Sequence, residues 1–230
     1  MIKSGSYGQF CPISMAAEVV CTRWTVLVLR ELLSGSTRFT DLRRGVPKMS
    51  PTLLSKRLKE LEDAGVVATT RRSDGNLDYR LTPMGEDLRP LVMVLGNWGQ
   101  RWVESKLSLR NLDPSLLMWD MRRSINPTPL PQRRCTIQFL YPEQAAAERN
   151  WWLVVEPAGI DLCLFDPGHE IDLMVTGPLL SMTKVWMGLV SLEAEIDARH
   201  ISVDGDPEIA KSMYVWLGLS IFANERRRVA

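Results

Sequence analysis

The residue types that carry catalysis are sparse in this chain of 230 residues. It holds two histidines, His169 and His200, and four cysteines, Cys11, Cys21, Cys135 and Cys163. No cysteine pair has CxxC spacing, and no HExxH, GxSxG elbow or glycine-rich phosphate loop occurs. Zinc hydrolysis, acyl transfer and phosphoryl transfer therefore lack their usual parts. Asp204 and Asp206 stand close together, but carboxylates at a turn ordinarily cap. No enzyme, metal or cofactor is expected. The chemistry that is present is donation of hydrogen bonds and positive charge. Thr52, Ser55, Lys56 and Lys59, with Asp63, fall opposite the apolar stripe Leu54, Leu58, Leu61. Ser50 precedes them, at the end where helical N–H groups favour anions.

Such a face suits a polyanion, because a helix enters the major groove and presents donors to base edges and phosphates. Arg57 points nearer the apolar stripe, so it either braces the fold or reaches a phosphate. Arg71, Arg72 and Arg80 flank a turn that could lay cations along a minor groove or backbone, and Arg38 opens a short segment upstream. The plainer reading stays open: Lys56, Arg57 and Lys59 as a solvated face paired with Glu60 and Glu62, and Arg71 and Arg72 as solubilising charge. The charge distribution favours contact with a polyanion. Residues 1–111 carry 17 Lys+Arg against 11 Asp+Glu, whereas residues 112–230 carry 11 against 16. The net +1 of the whole chain conceals a basic half joined to an acidic half.

The elements that would position these residues read clearly in the first half. The run CPISMAAEVVCTRWTVLVLRELLSG has the periodicity of a buried helix stopped by Gly35. RFTDLRRGV is a short helix. Ser50 and Pro51 are a cap and first-position pair, which predicts a helix over 51–64 ended at Gly65. Val66–Arg72 and Leu77–Leu81 form a hairpin around SDGN. A helix over the 82–107 run follows, with Leu95, Trp98 and Trp102 along one side. That order is a winged helix-turn-helix.

The strings CP near the start, W followed by LVLRELLSG, RFTDLRRG, SPTLLSKRLKELEDAGVV and YRLTPMG come in the order of the HxlR family, which residues 8–104 resemble. The resemblance implies a homodimer on a palindromic operator, in which the first helix and the 85–105 helix pack across a two-fold. Leu95, Trp98 and Trp102 would then be dimer interface. Cys11 falls on the N-terminal cysteine that some such regulators use to sense oxidants; burial as a small apolar residue is the other reading.

A hinge is expected at Ser108–Pro114, dividing a domain 1–110 from a domain 111–230. The second half mixes strands (135–141, 151–156, 160–165, 171–175, 200–203) with helices (114–124, 143–149, 179–190, 192–199, 207–222), an α+β pattern. The stretch from GIDLCLF through hEIDLMVTG and W.G..S to ISVDGDPEIAKSMYVWL is similar to sterol-carrier-protein-2-like domains. That resemblance implies an apolar cavity for a lipid-like small molecule. Trp119, Phe139, Trp152, Met174, Trp186, Met187 and Met213 are the candidate lining, with an ordinary core as the plainer reading. No signal peptide is read in Met1–Phe10, and no apolar run reaches the ~18 residues of a membrane span. The expectation is a cytoplasmic DNA-binding regulator, a repressor by analogy, with an apolar effector and no membrane partner. The alternative is a lipid carrier or scaffold whose winged helix serves only association.

Overall fold

The computed structural model describes residues 6–104 and 109–229. The chain divides into two compact units, Met1–Gly96 and Asn97–Ala230. In the first, the run expected as one helix is two: α1 (Pro12–Val20) and α2 (Thr25–Leu33), bent by 80°. The break sits at Trp24, whose φ of +79° is left-handed. A bulky residue rarely adopts that conformation. Trp24 does so while it packs against the core, a tertiary gain that periodicity alone does not reveal.

Helix α3 (Phe39–Gly45) and helix α4 (Pro51–Asp63) follow. The Ser50 hydroxyl accepts the Leu53 amide at 3.3 Å, and Pro51 fills the first helical position. Leu54, Leu58 and Leu61 are buried with Val28, Leu29, Leu42 and Val66. Strands β1 (Val67–Arg71) and β2 (Leu77–Leu81) pair antiparallel, Thr69 opposite Tyr79. Thr37 O accepts the Tyr79 amide at 2.8 Å, and Arg38 bridges Asp78, so the chain entering α3 adds a third strand-like edge to the wing. The 82–107 run divides at Asp87 and Leu88 into α5 (Pro83–Glu86) and α6 (Arg89–Trp102). The end of that run and the start of the expected Ser108–Pro114 hinge lie outside the described residues.

One polar cluster holds α2 to α3. Glu31 is fully buried. Arg30 donates to its carboxylate through Nε at 3.1 Å and Nη2 at 2.7 Å, and Ser36 Oγ donates at 3.3 Å. Arg30 Nη2 also reaches Gly45 O at 2.7 Å. A Cβ on Gly45 would stand 1.8 Å from Glu31 Cδ. Glycine is needed there for space rather than for an unusual φ.

The second unit opens with α7 (Pro114–Ser124). Its strands are β3 (Cys135–Leu140), β4 (Asn150–Glu156), β5 (Gly159–Cys163), β6 (Leu173–Thr176) and β7 (Ser202–Gly205), in the order β5-β4-β3-β6-β7. All neighbours are antiparallel except β3 and β6. Helices α8 (Leu179–Trp186), α9 (Leu192–Asp197), α10 (Pro207–Lys211) and α11 (Met213–Trp216) complete the unit. Ile137, Phe139, Trp151, Leu153, Leu173 and Val175 share a core with Met118, Met182, Met213 and Trp216.

Two expectations differ here. Residues 143–149 form turns, not a helix. The segment only joins paired β3 and β4, with Tyr141 N donating to Arg149 O, and so short an isolated helix is not self-sustaining. The 207–222 helix is split and ends early. Gly218, at φ +59°, brings the chain so close to Ser124 that a Cβ would lie 1.9 Å from its carbonyl oxygen.

Gly45→Ala is expected to lower unfolding stability by about 1–3 kcal/mol in urea titrations, an overpacking cost. Adding Glu31→Ala should recover part of that loss. A strictly additive double variant would show that the carboxylate is not what excludes the Cβ.

Candidate nucleic-acid interface

Helix α4 is anchored by its leucine stripe, which turns Thr52, Ser55, Lys56 and Lys59 to solvent. These four do not have equal freedom. Lys59 Nζ is held by Glu62 at 3.1 Å and Asp63 at 3.0 Å. Those contacts raise the Lys59 pKa and, with the Thr69 hydroxyl, lower that of Glu62. Lys56 forms no ion pair among the described residues. Ser50 spends its acceptor on the cap. Arg57 is a brace: its side chain is mostly buried, it donates to Arg23 O at 3.1 Å and it pairs with Glu60. The free donors thus gather in the first two turns of α4.

The wing arginines are exposed but tethered. Arg71 donates to Gly75 O at 3.2 Å, Arg72 pairs with Asp74 at 3.3 Å, and Arg80 pairs with Asp78 at 2.8 Å. Each guanidinium keeps further donors for a phosphate. Asp78 is buried. The Thr37 hydroxyl and the Arg80 guanidinium hold its carboxyl below the usual range. Arg38 is exposed and lines, with Phe39, Arg72, Asn76 and Tyr79, a concavity of about 380 Å³ between α3 and the wing. Arg43 and Lys48, exposed on α3 and the turn before α4, were missed as candidates. The signal was present in RRGVPK, since a turn that ends one short helix and caps the next must lie at the surface.

Other expected positions fall as follows. Leu95, Trp98 and Trp102 are exposed on α6, as are Leu91 and Val94. Cys11 is the half-buried cap residue of α1. The seven residues expected to line one cavity do not share a surface. Trp119, Phe139 and Met213 lie in the core, and Trp186 packs against it. Met187 caps the end of α8. Trp152 and Met174 occupy the opposite face of the sheet from Trp151 and Val175, because adjacent strand residues alternate. Among the described residues no His/Cys/Asp/Glu group could hold a metal, and no single helix is long and apolar enough to cross a membrane.

The model of the HxlR-like helix-turn-helix family matches residues 19–107. The HTH-type transcriptional regulator YvaP of Bacillus subtilis is 33% identical over 99 residues, 42% of this chain and 92% of YvaP. The chain belongs to the HxlR-like family. Two further relatives are similar over part of the chain. YtfH of Escherichia coli is 31% identical over 48% of this chain and 90% of its own length, and sll1512 of Synechocystis 30% over 43% and 75%. These HxlR-like relatives are named transcriptional regulators, not enzymes, and their matches cover less than half of this chain.

The lowered pKa of Asp78 gives the wing a pH signature. A depressed carboxyl stabilises the fold above its ordinary value of 3.8 and ceases to do so as acid protonates it. Asp78→Asn should therefore cost about 1–3 kcal/mol at neutral pH and less at pH 3, measured by thermal melts at both. An equal loss at the two pH values would contradict an electrostatic anchor.

Proposed function

We propose that this chain is a cytoplasmic DNA-binding transcriptional repressor that works as a homodimer on a palindromic operator. The observation that carries the reading is the concentration of unengaged donors at one end of α4. Thr52, Ser55 and Lys56 are exposed there, Arg43 and Lys48 are exposed on α3 and the turn before α4, and the tethered wing arginines follow in the chain. Phosphate contacts from such cations supply affinity, and the short hydroxyl side chains read base edges. Dimer formation is supported by apolar stripes left in solvent: Ile13 and Met15 on α1, and Leu91, Val94, Leu95, Trp98 and Trp102 on α6. Exposed apolar surface of this extent marks an interaction face. A dimer seated on a promoter represses by occupancy.

The C-terminal domain is proposed as a sterol-carrier-protein-2-like effector domain. Its support is the order of elements: paired strands, the IDLMVTG segment that includes β6, α8 ending at Trp186 with Gly188 just beyond it, β7, the Gly205–Asp206 turn and the closing helices. An apolar groove of about 290 Å³ between Val185, Val190, Leu192, Tyr214, Leu217 and Leu219 would suit a lipid-like molecule. Such an effector regulates only by binding the DNA-competent and incompetent states with different affinity.

Fluorescence anisotropy with duplex from upstream of the gene tests the reading. The Lys56→Ala/Arg71→Ala variant should bind more weakly, with a log–log salt slope smaller by about 2. Absence of wild-type binding at low salt would favour the carrier or scaffold instead. Trp98→Asp should convert dimer to monomer in light scattering. An unchanged mass would remove the α6 interface.

A further inference from the structure

The last carbonyls of a helix have no partners within it. At the end of α6 the partners come from far along the chain. Arg228 N donates to Arg101 O at 2.8 Å, and Arg227 Nη2 donates to Val103 O at 2.6 Å. The Arg101 side chain is clasped by Glu225, through Nε at 2.9 Å and Nη2 at 2.7 Å, 124 residues downstream. Side chains of Arg101 and Glu225 are 41% and 20% exposed. An ion pair this open to water adds little to global stability, which suits a contact that opens and closes. The same turn carries Trp98 and Trp102, both exposed.

The clasping segment starts as a wall of the apolar groove. Two stretches of chain line that groove, within 185–193 and 214–219. Both are tied to the end of α6. The first reaches it directly, since Gln100 Nε2 donates to Met187 O at 3.0 Å. The second reaches it through residues 220–224 alone, which join Leu219 to Glu225. That link has little slack. Ser220 N donates to Trp186 O at 2.9 Å, Ala223 N to Ser220 O at 2.9 Å and Glu225 N to Phe222 O at 3.0 Å. Ala223 is so close to Gly188 that a Cβ there would stand 2.8 Å from the Ala223 Cβ. Upstream the second stretch is fixed: Asn126 N donates to Trp216 O, and Gly218 packs against Ser124. A molecule that displaces one lining stretch against the other therefore moves the chain downstream of Gly218. A short, hydrogen-bonded link passes such a displacement on. All of these residues belong to the unit Asn97–Ala230.

We propose that residues 219–228 are a strap that loosens the last turn of α6 when the apolar groove is filled. The proposal rests on the effector reading of that groove and specifies its regulation. With the clasp closed, Trp98 and Trp102 sit on a capped turn. Filling the groove opens the Arg101–Glu225 pair and returns the terminal carbonyls to water.

Hydrogen exchange of the full-length protein, read by mass spectrometry over residues 97–103, tests the strap. Two substitutions fill the groove without a ligand: Leu219→Trp from one lining stretch and Val190→Phe from the other. Leu219 is exposed and Val190 partly so, and unchanged protection of the β3 and β4 amides shows that the fold is intact. Each substitution should speed exchange over 97–103 about fivefold, the net contribution of one hydrogen bond. Glu225→Ala should do the same by opening the clasp directly. In the Glu225→Ala background neither filling substitution should speed exchange further. The proposal is overturned if both filling variants exchange over 97–103 as wild type does, or if they speed exchange equally with and without Glu225. Because the substitutions stand in for an effector, this outcome does not depend on any apolar molecule binding, and its failure is distinct from failure of the effector reading.

Discussion

A carboxylate sealed inside the first unit dictates its geometry. Burying Glu31 without partners would be costly, and removing one partner of a buried pair typically costs more than the pair contributes. The Arg30 guanidinium, the Ser36 hydroxyl and the carbonyl of Gly45 close a network that spans the end of α2 and the end of α3. With those ends tied, the turn 46–50 has little choice of path, and α4 emerges in one direction. The wing is then registered against the same region through Thr37, Arg38 and Asp78. The donors on α4 and the arginines of the hairpin are thus held in one frame by a charge that never meets solvent.

Much of this was legible before any coordinates. Ser50, Pro51 and Gly65 punctuate α4 by local chemistry, and local chemistry survives folding. The SDGN hairpin is similarly self-specifying, with Gly75 at φ +82°. What the linear pattern could not disclose was decided by distant partners. Trp24 breaks a continuous apolar run because it packs against the core at a backbone angle few residues tolerate. Lys59 and Lys56 each have a carboxylate four residues onward, Asp63 and Glu60, yet Glu60 is taken by Arg57, whose side chain is held against Arg23 O, so among the described residues Lys59 is paired and Lys56 is not. The aromatic-rich second half invited a single lined cavity. Strand alternation instead sends Trp151 and Trp152 to opposite sides of the sheet.

The family match accounts for residues 19–107, and the second unit is an addition with its own core. The charge asymmetry runs in the same sense: residues 1–111 are basic and residues 112–230 acidic, so the attraction for a polyanion belongs to the first stretch. Helix α6 carries the transition: the division between units falls within it, at Gly96 and Asn97. Its far end is bound into the second unit by the Arg101–Glu225 pair and by Arg227 donating to Val103 O.

Helix α4 is chemically polar along its axis. Hydroxyls and Lys56 occupy the leading turns, and Glu60, Glu62 and Asp63 occupy the trailing ones, where Lys59 is already neutralised. For any duplex laid against it, the trailing end is repelled by phosphate while the leading end is attracted, and the helix dipole acts in the same sense. The attraction for an anion is therefore confined to the leading end of the helix, and the trailing end sets a limit on how far along the helix that attraction extends.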